Sequence, residues 1–284
     1  MKFLWVNIEE VFREAAARWT LLAYFFLSSI FILIFALAVN LDIVDGALAG
    51  AKLFGKSVDF AGDTIDLDRM VLGFESSFSA FLYLLGTFLA VFATAHLVPR
   101  LQDKGTIDLY LSRPVGRAPL LLSRFMAGLV LAAANVAYLI GSVWLIVIWK
   151  TGVVHPQFLY GGAVIVFVIA AMLSFSFLVG TITSSTAVSI MLSYGLFFIS
   201  AILATHEKIE AAVSSVWSAR IIHGLYLALP KTAELGQATI ALVAGGQAPP
   251  AITEALAPAP FISTAIFAAV CLALSSWVFT RKEF

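Results

Sequence analysis

The residues best placed to do chemistry lie between positions 101 and 125, where the chain reads LQDKGTIDLYLSRPVGRAPLLLSRF. The chemistry they suit is docking rather than bond making. Asp103, Lys104, Asp108, Arg113 and Arg117 can make charged contacts at a rim, while Ile107, Leu109, Tyr110 and Leu111 offer bulk for a groove. An apolar centre with a polar rim is the usual anatomy of a protein interface. Gly105 and Pro114 bracket a short helix, since proline lacks an amide hydrogen and biases the preceding Arg113 away from helical angles. Thr106 and Ser112 are the segment's hydroxyl residues. On charge alone, the same residues suit a basic loop that only fixes topology.

Catalytic signatures in their working context do not occur. The string Gly50-Ala51-Lys52-Leu53-Phe54-Gly55-Lys56-Ser57 has the letters of a phosphate loop but falls at the hairpin turn expected in an outer loop, not between a strand and a helix, and there is no Gly-x-Ser-x-Gly elbow and no dinucleotide-binding glycine pattern. The chain is therefore not expected to be an enzyme or to hold a cofactor, and any ATP and Mg would be bound by a partner. Cys271 stands alone, which leaves neither a disulfide framework nor a thiolate cluster. His96, His155, His206 and His223 are scattered without His-Glu-x-x-His spacing, so no metal site is expected from them. The seven acids of residues 40–77 lack the calcium-loop spacing and read as solvated carboxylates.

The elements that must position the docking segment are membrane helices. Hydrophobic residues make up 61% of the 284 and charged residues 12%, with mean hydropathy +1.00, which excludes an ordinary soluble domain. Six apolar runs, at 19–39, 78–98, 120–148, 159–181, 186–204 and 261–280, each approach the roughly 20 residues needed to cross a bilayer as helix. Continuous apolarity favours helix over the alternating strands of a membrane barrel. The expected fold is an all-α integral membrane protein with six transmembrane helices. Residues 1–18 should form an interfacial helix, with Leu4, Ile8, Val11, Phe12 and Ala15 on one face and Glu9, Glu10, Arg13 and Glu14 on another. The long apolar run behind it argues for a retained first span over a signal peptide.

Charge orients the bundle. One side carries ten basic residues, five of them between Arg100 and Arg124, and the other carries seven. The positive-inside rule then places both termini and the 99–119 segment in the cytoplasm. Residues 40–77 form an outer loop, with a hairpin turn expected at 54–58 and a short helix at 63–74. Residues 205–260 form a second outer segment, too apolar around 221–229 and 240–244 to be solvated throughout, so short re-entrant helices near Pro230 are expected before the last span. The overall charge is zero, which gives no reason to expect nucleic-acid binding. In the fifth span Ser185, Ser189 and Ser193 recur every four residues, with Ser200 near the same face; small hydroxyl residues suit helix packing first and a substrate path second.

The string GTIDLYLSRPVGR, from Gly105 to Arg117, resembles the signature of type-2 ABC transporter permeases. The following Leu120-Leu121-Leu122-Ser123-Arg124 and the ending Phe279-Thr280-Arg281-Lys282-Glu283-Phe284 are similar to that family too. Gln102-Asp103-Lys104 stands where the family often has consecutive glutamates. The resemblance implies the membrane subunit of an ATP-driven transporter in the inner (plasma) membrane. Its partners would be an ABC ATPase subunit, a second permease copy or a homologous permease, and membrane lipid. It also implies that Asp103, Lys104, Gly105, Thr106, Asp108, Leu111, Ser112, Arg113, Pro114 and Arg117 receive force from the ATPase. The rival expectation is a non-transporting anchor or mechanotransmitter that moves an outer-face partner.

Overall fold

Within a bilayer every backbone N–H and C=O must be satisfied inside the protein, and the long apolar runs accordingly become helices. The computed structural model describes residues 19–44, 47–53, 56–59, 65–103, 105, 116–212, 215–245 and 249–282. The expected interfacial helix at 1–18 lies outside them. In chain order the membrane helices are α1 (Trp19–Ala38), α2 (Leu67–Thr94), the short α3 (Leu97–Leu101), α4 (Arg117–Thr151), α5 (Gln157–Thr183) and α6 (Thr186–Leu203). Then come α7 (His206–Ala212), α8 (Val216–Ala228), α9 (Thr232–Ala244), α10 (Pro250–Thr253), a 3-10 turn at Glu254–Leu256 and α11 (Pro258–Arg281). Five helical stretches are long and apolar enough to cross a membrane: Asp68–Leu101, Arg117–Thr151, Gln157–Thr183, Thr186–Leu203 and Pro258–Arg281. Ala23–Leu37 in α1 adds a shorter apolar one.

Among the described residues, regular structure other than helix occurs in one place. Between α1 and α2 the backbone forms an antiparallel sheet of β1 (Val39–Val44), β2 (Ala47–Leu53), β3 (Lys56–Asp59) and the two-residue β4 (Ile65–Asp66), with β2 pairing to all three others. Val44 faces Ala47 and Leu53 faces Lys56, which pairs β1, β2 and β3 as successive antiparallel neighbours; part of the hairpin turn expected at 54–58 lies outside the described residues, and Lys56, Ser57 and Val58 belong to β3. The all-α expectation thus describes the membrane body and omits this small sheet. Nor is there a separate short helix at 63–74: α2 runs unbroken from Leu67.

That early start carries Glu75, counted in sequence among the solvated acids, into the bundle with no exposed surface. Its Oε2 lies 3.2 Å from His155 Nδ1 in the connection between α4 and α5. The membrane interior is therefore less free of ionisable groups than the apolar runs imply, and the pair satisfies the rule that buried charge needs a partner.

The bundle is organised around α5, which is buried along most of its length and contacts α2, α4, α6, α9 and α11. Phe158, Ile165, Ile169, Met172, Leu173 and Phe177 fill this axis. Close approach depends on small residues: a Cβ on Gly162 would sit 2.7 Å from Ile140 Cδ1 of α4, and one on Gly161 would sit 2.9 Å from Val243 Cγ2 of α9. Helix α4 has 35 residues, about 52 Å at 1.5 Å per residue, and outruns the roughly 30 Å hydrocarbon layer. It stops at Gly152, whose positive φ of 73° closes the last turn through its N–H to Ile148 O at 2.8 Å.

Candidate coupling site

The residues that lead into the sequence-expected docking segment follow a break in α2. Pro99 has no N–H to give to Ala95 O, so the helix cannot continue at full bonding through this point; it turns at Ala95-His96 and restarts as α3. Pro99 then packs on α5, where a Cβ added to Gly180 would lie 3.2 Å from Pro99 Cδ and 3.1 Å from Ser189 Oγ. Gly180 is the point at which α3, α5 and α6 converge.

Three polar side chains knot this end of the bundle. Gln102 caps α3, and its Nε2 donates to Gly180 O at 3.0 Å. Ser184, held at φ 53° after the last turn of α5, donates through Oγ to Gln102 Oε1 at 2.8 Å. The Lys282 ammonium then donates to Gln102 Oε1 at 2.6 Å, Ser184 Oγ at 2.8 Å and Thr181 O at 2.9 Å, so its three N–H groups meet three acceptors. Gly180 and Thr181 carry carbonyls of the last turn of α5, which a cation offsets both by hydrogen bonding and through the helix dipole. Partial burial pulls the Lys282 ammonium below its ordinary pKa.

A second cation closes the other side. Arg117, the first residue of α4, donates through Nη1 to Lys282 O at 2.7 Å and to Thr280 O at 3.2 Å. Residue 282 thus holds both flanks of the segment: its side chain takes Gln102 just before it, and its carbonyl takes Arg117 just after it. Arg281 turns outward, its guanidinium 4.4 Å above the Trp277 ring.

Of the residues singled out in the sequence, Arg117 sits in this arrangement. Asp103 is exposed beside it, with its backbone N–H on Arg100 O at 3.2 Å. Gly105 has φ +91° with open space around it, so its backbone angle rather than crowding calls for glycine. Lys104, Thr106, Asp108, Leu111, Ser112, Arg113 and Pro114 lie outside the described residues. The serine stripe of α6 is buried for most of its length. Ser185 caps the helix, accepting from Val188 N at 3.5 Å, Ser189 donates to Ser185 O at 2.8 Å, and Ser193 has no hydrogen-bond partner among the described residues. At the far end of α6, Ser200 donates to Pro230 O. Sequence reading missed Gln102, Ser184 and the α5 carbonyls; the signal available was the polar run Thr183-Ser184-Ser185-Thr186 between two apolar ones.

Away from the knot, α1, α2 and α4 enclose an apolar cleft of about 220 Å³ lined by Tyr24, Phe31, Leu82, Leu89 and Asn135, among others. Inside it Ser28 donates to Asn135 Oδ1 at 3.0 Å, while Asn135 Nδ2 has no partner among the described residues.

No curated protein matches the sequence. The family model described as "ABC-2 family transporter protein" does match, over residues 11–284, nearly the whole chain. With several helices able to cross a membrane and a polar joint flanking the signature segment, the chain is a multi-pass membrane protein that belongs to the ABC-2 transporter family.

Proposed function

We propose that this chain is the permease subunit of an ABC transporter and that a separate ATPase, holding ATP and Mg, drives it by pushing on the segment between Gln102 and Arg117. The observation that carries the reading is the double attachment at residue 282. A force on the segment has no slack path: it reaches α3 through Gln102, α5 through Gly180 and Thr181, α4 through Arg117 and α11 through the Lys282 backbone. Such a joint suits rigid-body switching of packed helices between inward and outward states. The basic residues around the joint support a cytoplasmic position for this end and both termini. Helix α1 completes six spans, and α8 and α9, meeting at the buried Pro230-Lys231 turn, are the re-entrant pair at the outer end.

A second permease, identical or homologous, covers α6. Met191, Leu192, Phe198, Ile199 and Ile202 leave an apolar face on that helix exposed in the single chain, and partner and lipid share it. The apolar cleft between α1, α2 and α4 supports transport of an apolar or amphipathic cargo over the rival role of a mechanotransmitter. In either role the chain itself does no ATP chemistry.

The test reverses charge in the docking segment. A topology-only loop tolerates Asp103→Lys, which adds positive charge on the inner side, whereas an ATPase groove meets a like-charge clash costing several kcal/mol. Asp103→Lys and Arg113→Glu are expected to insert normally yet lose co-purification with the ATPase or its coupled turnover. Normal assembly and turnover in both variants would remove the segment as the docking site.

A further inference from the structure

His206 and Glu210 stand four positions apart on α7, which places both on one face of that helix. Helix α8 packs across α7 and brings His223 to the same point, so that one ligand atom from each of the three lies within 4.8 Å of the others. His223 Nδ1 and Glu210 Oε1 are 3.5 Å apart. Two ligands on a tetrahedral ion with bonds of roughly 2.1 Å sit about 3.4 Å apart, so this edge already has the spacing of a metal site. His206 Nδ1 and Glu210 Oε1 are buried and make no hydrogen bond among the described residues, an arrangement that costs free energy unless something else takes those lone pairs. The ring of His206 is held in place by stacking on Tyr226 at 3.7 Å, and the Tyr226 hydroxyl is fixed in turn by Glu234 Oε1 at 2.6 Å.

We propose that His206, Glu210 and His223 form a three-ligand site for a divalent ion of the zinc class. Two imidazoles and one carboxylate are the donors such an ion prefers, whereas calcium and magnesium demand oxygen-rich cages. His223 is half exposed, which leaves a coordination position open to water or to an exogenous ligand. The site also has a structural consequence: neither α7 nor α8 contains a single buried residue, and a shared ion pins together two helices that have little apolar core of their own. In sequence the histidines show no ligand spacing; only the α7–α8 packing creates one. The inference is independent of the transport reading, because it concerns binding by the isolated chain.

The experiment uses the full chain, purified in detergent, stripped with chelator and free of any histidine tag. Equilibrium dialysis against Zn²⁺ is expected to show one saturable site per chain. Glu210→Gln, His206→Ala and His223→Ala are each expected to weaken it by about a hundredfold or more. Zinc should raise the unfolding temperature of the parent and not that of His206→Ala/His223→Ala, and Co²⁺ in its place should give the intense visible bands of a tetrahedral site. Affinity should fall at acid pH as protons compete for the imidazoles. Absence of a stoichiometric site in the parent, or zinc binding unchanged in Glu210→Gln and in the double histidine variant, would overturn the proposal.

Discussion

The two ends of the bundle are fastened in different ways. At the Gln102 end the polar bonds join residues 78 to 180 positions apart, and they tie the end of the short α3 to the ends of the long α5 and α11. At the opposite end Glu75 with His155 and Lys150 with Ala36 O also join distant residues, but one unit there bonds largely within itself: Tyr226 to Glu234, His223 to Glu210, and Lys231 to Tyr226 all fall within residues 206–234. Besides the packing of α8 on α6 and α11, that unit is seated on the bundle at its one buried turn. There Ser200 donates to Pro230 O, Thr264 Oγ1 accepts from Lys231 N at 3.0 Å, and Tyr83 donates to Thr232 O. The contrast shows how one chain makes a stiff joint and a loosely seated one: long-range bonds to shared residues make the first, and a self-contained helical hairpin held by its turn makes the second.

If that contrast is right, substitutions at the two ends should differ in cost. Gly180→Val is expected to be the most damaging, because the added methyls meet the Pro99 ring and Ser189, neither of which can retreat without moving a helix. Overpacking of this kind costs about 1–3 kcal/mol, to be read as a lower unfolding midpoint in detergent together with loss of ATPase coupling. At the opposite end, Ser200→Ala removes one donor to Pro230 O and one acceptor for Thr232 N. A loss of about 1 kcal/mol is expected there, with ATPase docking unchanged. Equal loss of docking in both variants would show that the two ends are not mechanically distinct.

Much of the membrane body could be read from sequence because it follows from one property, continuous apolarity over helical lengths. Family membership was readable because the signature and the ending are local strings. The start of α2 was not, since Asp66-Leu67-Asp68-Arg69 mixes charge with apolar residues and Glu75 looks solvated until His155, eighty residues on, is brought against it. The sheet had signals that went unused: Val39-Asn40-Leu41-Asp42-Ile43 alternates with period two, and Asp45-Gly46 follows, a dipeptide typical of hairpins. The knot itself was beyond reach. Nothing local to Gln102 or Ser184 says that a lysine near the far end of the chain will sit between them, and Lys282 drew notice only as part of a terminal motif.

The central claim is that residue 282 locks both flanks of the docking segment, and Lys282→Met tests it most directly. The substitution keeps an unbranched side chain only one atom shorter and the backbone carbonyl that Arg117 uses, and removes the three ammonium bonds to Gln102, Ser184 and Thr181. The measurement is ATP turnover, with and without transport conditions, of the reconstituted permease–ATPase complex at matched expression. The account predicts that the variant still assembles with the ATPase but that turnover no longer responds to the state of the permease. Assembly and coupled turnover equal to the parent would contradict it.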